Sequence, residues 1–184
     1  MLAKGMTRRL KRELERDRSK CIEQLVHQEN KTTSRRGWFR RVVGITEQFY
    51  GDGYLGTIPS PSTPKKPAVY VLGLAPDPEM PCRLVVEGIY IVSRHFDVKP
   101  VGLNMRISKH AIERVFQRLK VDTPKAAMSE ILSAVRQVFN NPIELGELDI
   151  KTQHGEFRGI VEPAEGDSFS MIFTTFLADD ERAE

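Results

Sequence analysis

His110 and Arg114 form the most informative arrangement of reactive side chains in this 184-residue chain. They lie four residues apart in the segment from Ile107 to Leu119. Residues at that spacing are neighbours on the surface of a helix. An imidazole exchanges protons near neutral pH, and a guanidinium binds phosphate oxygens through paired N–H donors. The pair therefore has the groups needed for acid–base chemistry at a phosphodiester.

The pattern around this pair predicts an amphipathic helix that begins after Ser108, a favourable N-cap residue. At about 100° per residue, one side of this helix collects the apolar side chains, which are Ile112, Val115, Phe116 and Leu119. His110 points almost directly away from that side. We therefore expect it to be an ordinary surface histidine or part of an open site, and not a core residue.

The remaining histidines and the cysteines show no metal-ligand spacing. Cys21 and Cys82 lie in different segments, and we expect free thiols in a reducing compartment. His27 and His95 are expected at the surface. His154, in a probable turn, is a candidate for a second proton-transfer group, and its role stays open. We expect no metal and no cofactor.

Charge is distributed unevenly along the chain. Residues 1–41 hold 13 Lys or Arg and 5 Asp or Glu, a net charge of +8. Residues 42–184 hold 15 basic and 20 acidic residues, a net charge of −5. A basic arm of this kind binds a polyanion, or it packs on an acidic surface of its own domain or of a second protomer.

A cluster of arginines at the end of the basic region surrounds two aromatic residues, Trp38 and Phe39. Aromatic and arginine side chains together are typical of single-stranded nucleic-acid surfaces. The same pattern is typical of a hydrophobic anchor flanked by solubilising charge, which is the interpretation we favour. If the cluster binds nucleic acid, four residues would make the contacts: Arg35, Arg36, Arg40 and Arg41.

The elements predict an α+β fold. Two helices, near residues 108–119 and 122–139, are expected to pack on a curved antiparallel sheet. Strands are predicted over 69–74, 83–93, 143–150, 157–162 and 168–177, and 103–107 is a short strand or a loop. The predicted organisation is a basic helical arm (1–36), a Pro-rich linker (37–66), the α+β domain (67–178) and an acidic tail (179–184).

Apolar runs in the sequence are short, and none approaches the roughly 20 residues needed to cross a bilayer. The stretch from Met1 to Met6 lacks the apolar region of a secretory signal. We therefore expect a cytoplasmic protein without a membrane partner.

The segment Ile107–Leu119 resembles the His-Ala-x-x-Arg-x-x-x-Arg helix of small bacterial toxin-like domains in the barnase–EndoU–colicin–RelE group of ribonucleases. The resemblance extends over about residues 103–177. In that group a helix packs against a curved antiparallel sheet, and a late strand supplies a Thr or Ser. Here that strand is Phe169–Leu177, and 157–162 resembles its hairpin partner.

The resemblance implies specific roles for residues of this chain. His110 would transfer protons, Arg114 would bind the phosphate, and Thr174 or Thr175 would supply a supporting hydrogen bond. Alternation along the strand does not choose between the two threonines, because both have apolar neighbours. Arg118 and Lys109 are further candidates for contacts with nucleic acid.

The sequence therefore predicts a metal-independent endoribonuclease-like domain of the toxin type. Its expected partner is RNA, with a cognate inhibitor or other partner protein, or self-association through the N-terminal helix, as further possibilities. Two alternatives stay open. One is a non-catalytic nucleic-acid-binding or regulatory protein of phage or plasmid type, and the other is a protein-interaction module that uses the N-terminal helix.

Overall fold

A computed structural model of the protein describes residues 24, 27, 34–60, 66–80, 82–93, 97–120, 123–164 and 168–179. The arm predicted over 1–36 lies outside the described residues, except for Gln24, His27 and the stretch from Ser34. The acidic tail lies outside them too, apart from Asp179.

The architecture of the described residues is α+β, with three α-helices of known bounds and a seven-stranded sheet curled into a half-barrel. The strand order is β1-β2-β3-β4-β7-β6-β5. The strands are β1 (Tyr54–Pro59), β2 (Ala68–Pro76), β3 (Arg83–Val92), β4 (Asp97–Ser108), β5 (Gly146–Lys151), β6 (Gly155–Pro163) and β7 (Phe169–Ala178). The helices are α1 (Arg35–Tyr50), α2 (Lys109–Arg118) and α3 (Pro124–Asn140).

The sheet is mixed, which differs from the antiparallel sheet expected from the sequence. Strands β1 to β4 form one antiparallel group, and β5 to β7 form another. A parallel pairing joins the groups, with Met105–Ile107 of β4 beside Met171–Phe173 of β7. The two helices between these groups allow the last strand to lie beside β4 in the same direction.

The two faces of the sheet carry separate cores, because side chains alternate along each strand. On one face, α2 and α3 pack with Leu72, Leu74, Met105 and Phe173 in the larger core. On the other face, α1 packs Trp38 and Val42 against Val71, Ile89 and Ile91. The helices are therefore divided between the two sides of one sheet.

The linker predicted over 37–66 needs correction. Most of it forms α1 and β1, and its side chains belong to the cores. In α1 the buried residues Trp38, Val42, Thr46 and Tyr50 recur every four residues, which is a helical stripe. The glycines and prolines that suggested a linker lie at the end of α1 and from Pro59 onward. Trp38 is 0% exposed, so the hydrophobic-anchor interpretation is confirmed.

Helix α3 connects the two edge strands of the half-barrel. Arg136 Nη2 donates to the carbonyl oxygen of Thr57 in β1 at 3.1 Å. On the other side, Gln137 Nε2 donates to the carbonyl oxygen of Lys151 in β5. Adjacent side chains of one helix therefore hold both edges of the sheet.

None of the described helices combines the length and apolar character that a membrane span requires. Cys82 is an exposed free thiol, as expected, and Cys21 lies outside the described residues.

Candidate active site

The start of α2 is fastened to β7 through Ser108, the last residue of β4. The Ser108 hydroxyl accepts a hydrogen bond from the Ala111 backbone N–H at 3.0 Å and donates one to the Thr174 carbonyl oxygen at 2.8 Å. A hydroxyl has one donor and two acceptor positions, so one group caps the helix and anchors it. No loop separates β4 from α2, and the position of His110 therefore follows from the sheet.

His110 and Arg114 lie together on the outer side of α2. Arg114 Nε donates to His110 Nε2 at 3.4 Å, the long end of the hydrogen-bond range. The helix buries Ala111, Ile112 and Val115 on its inner side, and His110 is exposed. Nε2 of His110 is the acceptor in this contact.

A β-bulge places the two threonines differently. The register of β6 and β7 shifts between Arg158 and Gly159, and Thr174 falls at that shift. The Thr174 hydroxyl donates to the Arg158 carbonyl oxygen at 3.1 Å, whereas Thr175 pairs with Arg158 in the ladder. The Thr174 carbonyl oxygen accepts the hydrogen bond from Ser108, the residue that caps α2. In the described residues, no hydrogen bond joins either threonine hydroxyl to His110 or Arg114.

Lys109 and Arg118, the other two predicted residues of α2, have no described contact with His110 or Arg114. Lys109 is exposed, and its Nζ lies 3.8 Å from Glu113 Oε1, one turn along the helix. Arg118 is two turns beyond His110, or about 12 Å along the helix axis at 1.5 Å per residue. Arg118 is therefore one turn further from His110 than Arg114 is.

The arginines of α1 lie elsewhere in the molecule. Arg35, Arg36, Arg40 and Arg41 are exposed in its first two turns. Because α1 packs on the opposite face of the sheet from α2, these arginines do not join His110 in one site. They form a separate basic surface.

Two further arginines lie near β7, and carboxylates already engage both. Arg106 binds Asp77 at 3.1 Å and Glu79 at 3.3 Å, and it donates to the Ser170 hydroxyl at 2.9 Å. Arg158 Nε donates to Glu156 Oε1 at 2.8 Å. That hydrogen bond raises the pKa of the Arg158 guanidinium above its ordinary value. By contrast, Arg114 has no carboxylate partner among the described residues, and its Nε donates to His110.

The sequence did not identify a histidine–carboxylate pair that the fold brings together. Glu130 of α3 accepts from the His154 backbone N–H at 3.0 Å through Oε1, and its Oε2 lies 3.1 Å from His154 Nδ1. The Glu130 side chain is 5% exposed, and that of His154 is 55% exposed. The available signal was a carboxylate within the apolar stripe of a helix, beside the buried Ile131.

The described residues hold no cluster of three or more His, Cys, Asp or Glu side chains that could bind a metal ion. Comparisons of the chain with protein-family models, curated proteins and solved structures found no match. The site is therefore interpreted from its own geometry.

Proposed function

We propose that this protein is an endoribonuclease-like domain of the toxin type that cleaves RNA by acid–base catalysis without a metal ion. The observation that carries this proposal is the contact between Arg114 Nε and His110 Nε2 on the exposed side of α2. It puts a proton acceptor and a phosphate ligand within reach of one phosphodiester. The anchoring of α2 to Thr174 gives the pair a fixed position.

The proposed reaction uses the nucleophile that RNA carries within itself. His110 Nε2 accepts the proton of the ribose 2′-hydroxyl, and the 2′-oxygen attacks phosphorus. The new bond between phosphorus and O2′ forms as the bond to O5′ breaks. The products are a 2′,3′-cyclic phosphate and a 5′-hydroxyl, after the leaving oxygen has taken up a proton. Arg114 balances the negative charge that develops on the phosphoryl oxygens.

Substrate binding itself activates the base in this scheme. In the free protein, Arg114 Nε donates to the His110 lone pair. A phosphate is a better acceptor for a guanidinium than a neutral imidazole, because the hydrogen bonds are charge-assisted and bidentate. When Arg114 turns to the phosphate, it releases the His110 lone pair to accept the 2′-hydroxyl proton.

A cleavage assay on short RNA in EDTA tests the proposal. We expect His110→Ala and Arg114→Ala each to lower the cleavage rate by about 10²-fold or more, the range for loss of a proton-transfer or charge-stabilising group. Gln117→Ala is the matched control, because Gln117 is exposed on the same helix. Circular dichroism establishes that each variant is folded.

Two results would end the proposal. One is cleavage at the wild-type rate by His110→Ala, which would reveal a contaminant or a different site. The other is cleavage of a strand whose target nucleotide lacks the 2′-hydroxyl, since the internal nucleophile is then absent.

The basic surface of α1 favours a second candidate function, which is nucleic-acid binding without cleavage. Four arginines are exposed within two helical turns. Binding through them would weaken steeply with salt, because each phosphate contact releases a counterion. Replacing Arg35, Arg36, Arg40 and Arg41 with Ala would then abolish binding, whereas His110→Ala would leave it intact.

A further inference from the structure

Large apolar side chains that stay exposed are concentrated at one end of the half-barrel. Of the five in the described part of the chain, three lie where α3 ends and where β5 and β7 begin. They are Phe139, Leu145 and Phe169, which are 38%, 56% and 45% exposed. Single exposed apolar side chains are ordinary, but several of them at one place mark a contact surface.

Strand directions place these three residues at the same end of the sheet. Strands β2, β4, β5 and β7 all run in one direction, because β3 and β6 are antiparallel to their neighbours and β4 is parallel to β7. Phe169 begins β7, and Leu145 directly precedes β5. The ring of Phe139 lies 5.9 Å from that of Tyr70, near the start of β2. We call these four residues the apolar end.

The aromatic rings of the apolar end lie on the side of the sheet that holds the larger core. Tyr70 packs against that core, and Tyr90 of β3 stacks on Tyr70 with ring centroids 4.7 Å apart. Phe169 points to the same side, since it alternates along β7 with Met171 and Phe173, which also pack there. Helices α2 and α3 therefore leave the larger core incompletely covered at this end.

Acidic side chains lie beside the apolar end. Glu144 and Glu147 lie on either side of Leu145 in the sequence, and Glu162 adjoins the ladder partner of Phe169. All three carboxylates are exposed, and none has an ion-pair partner among the described residues. An occupant of this surface should therefore combine an apolar side with positive charge.

The N-terminal arm joins the rest of the chain at this same end. Tyr50, at the end of α1, lies against Gly73 in the second half of β2. Most other strand residues of the α1 core lie in the first half of β2 and the second half of β3, among them Val69 and Ile91. Helix α1 therefore starts, at its Ser34 cap, where β2 begins.

The composition of the arm fits the surface. Residues 1–33 hold 9 Lys or Arg and 5 Asp or Glu, a net charge of +4. The sequence also places apolar residues at helical spacing within the arm. The arm thus offers both the positive charge and the apolar side chains that the apolar end calls for.

Two described residues of the arm show which side of it would remain in water. Gln24 and His27 are helical and exposed, and they lie one turn apart. At about 100° per residue, the opposite side of a helix through these positions carries Ile22, Leu25 and Val26. This apolar stripe is the part of the arm suited to contact the domain.

We infer that the N-terminal arm docks on the apolar end of its own domain, with the apolar stripe against it and basic side chains toward the carboxylates. The eight steps from Val26 to Ser34 span up to about 26 Å, and the helix layers on the two sides of the sheet lie about 20 Å apart. A tethered segment has an effective concentration in the millimolar range, so the chain's own arm is favoured over that of a second copy. This inference does not depend on the proposed RNA cleavage.

Paramagnetic broadening of NMR signals tests the docking in the full chain. A nitroxide is attached at His27→Cys, on the exposed side of the arm, in a chain where Cys21→Ser and Cys82→Ser remove the native thiols. We expect the methyl signals of Leu145 to broaden. The methyl signal of Met80 should stay sharp, because this exposed side chain lies in the turn between β2 and β3, at the opposite end of the sheet.

Two adjacent substitutions with the same change in charge separate the apolar stripe from the rest of the arm. Leu25→Asp puts a carboxylate into the stripe and should lower the docking equilibrium constant by about tenfold or more, which restores the Leu145 signal. Gln24→Asp is the matched control on the exposed side and should leave the broadening unchanged.

Three results would overturn the inference. The first is equal broadening at Leu145 and Met80, or none at either. The second is broadening at Leu145 that persists undiminished in Leu25→Asp. The third comes from mixing isotope-labelled chains without nitroxide with nitroxide-bearing chains without isotope. Broadening as strong in that mixture as within one chain would show that the arm of a second copy occupies the surface.

Discussion

Single hydroxyl groups in this protein join parts of the chain that are distant in sequence. Ser108 connects α2 to β7 through two hydrogen bonds. Tyr54, at the start of β1, donates from its hydroxyl to Glu47 Oε1 in α1 at 2.9 Å. Both are partly buried, where a hydrogen bond is worth more than in full solvent. The elements are therefore oriented by a few polar contacts as well as by apolar packing.

Because of Tyr54, the stability of the fold should vary with pH in the alkaline range. Burial, followed by the hydrogen bond to Glu47, raises its pKa from 10.0 to about 12. Below pH 10 the folded and unfolded chains both keep the phenol proton, and Tyr54 makes its full contribution to the free energy of unfolding. Between pH 10 and about 12 the unfolded chain loses the proton while the folded chain keeps it. Stability contributed by Tyr54 is therefore lost as the pH rises through this interval.

We expect Tyr54→Phe to destabilise the protein by about 0.5–1 kcal/mol at neutral pH, because the group is only partly buried. Urea unfolding across the alkaline range should also show a shallower loss of stability in this variant than in wild type. Glu47→Gln should reduce the slope as well, since it removes the charge and keeps an acceptor. If the free energy of unfolding fell with pH equally in all three proteins, the raised pKa of Tyr54 would not be the cause.

At the level of elements, close packing of α1 on the sheet depends on a strand residue without a side chain. A Cβ atom at Gly73 of β2 would lie 2.0 Å from Cδ1 of Tyr50, which is buried at the end of α1. The Tyr50 ring thus lies directly on the backbone of β2. This contact sets how closely the end of the helix approaches the sheet.

Gly73→Ala should therefore destabilise the protein by about 1–3 kcal/mol, since either the ring or the strand must move. Gly102→Ala is the control, because nothing lies within 4 Å of a Cβ at that position of β4. We expect its effect to stay within about 0.5 kcal/mol. Chemical denaturation of the two variants measures the difference, and equal effects would rule out the packing explanation.

Sequence patterns located the elements with strong local signals. The Ser108 cap and the Thr123-Pro124 start define α2 and α3 within two residues of the predicted bounds. The first half of β4 was missed because residues 97–104 have exposed or only partly buried side chains and include Pro100 and Gly102. Helix α1 was missed because the Gly- and Pro-rich segment after it suggested a linker.

The candidate site could be predicted only in the part that one helix contains. The neighbouring positions of His110 and Arg114 follow from helical spacing alone, and the structure confirms them. The pairing of Glu130 with His154 joins residues 24 apart through the packing of α3 on a turn. No periodicity in the sequence encodes such a contact. The different hydrogen bonds of Thr174 and Thr175 depend in the same way on a bulge that appears only when β6 and β7 pair.

At the scale of the whole molecule, one sheet carries a core on each of its faces. The larger core lies under α2 and α3, and the smaller one lies under α1. The strands β2 and β3 contribute side chains to both cores. If the packing of one core is lost, the strands that support the other core are destabilised. We therefore expect the described part of the chain to unfold as one cooperative unit.

The single tryptophan provides a direct test of this cooperativity. Trp38 is fully buried in the α1 core, so its fluorescence reports on the smaller face. Far-ultraviolet circular dichroism reports on the secondary structure as a whole. The two signals should give the same midpoint in urea. A fluorescence transition at a lower urea concentration would show that α1 detaches before the sheet unfolds.

The parallel seam between β4 and β7 has a consequence for the protein during its synthesis. Ser108 and the carbonyl that anchors it, on Thr174, are separated by 66 residues. Because a chain is made from its N-terminus, His110 and Arg114 leave the ribosome well before the strand that seats their helix. A translation product that stops before residue 174 therefore contains the proposed base and phosphate ligand without their support. Such fragments would be inactive, so any toxicity to the producing cell would begin only after Thr174 has been made and β7 can pair with β4.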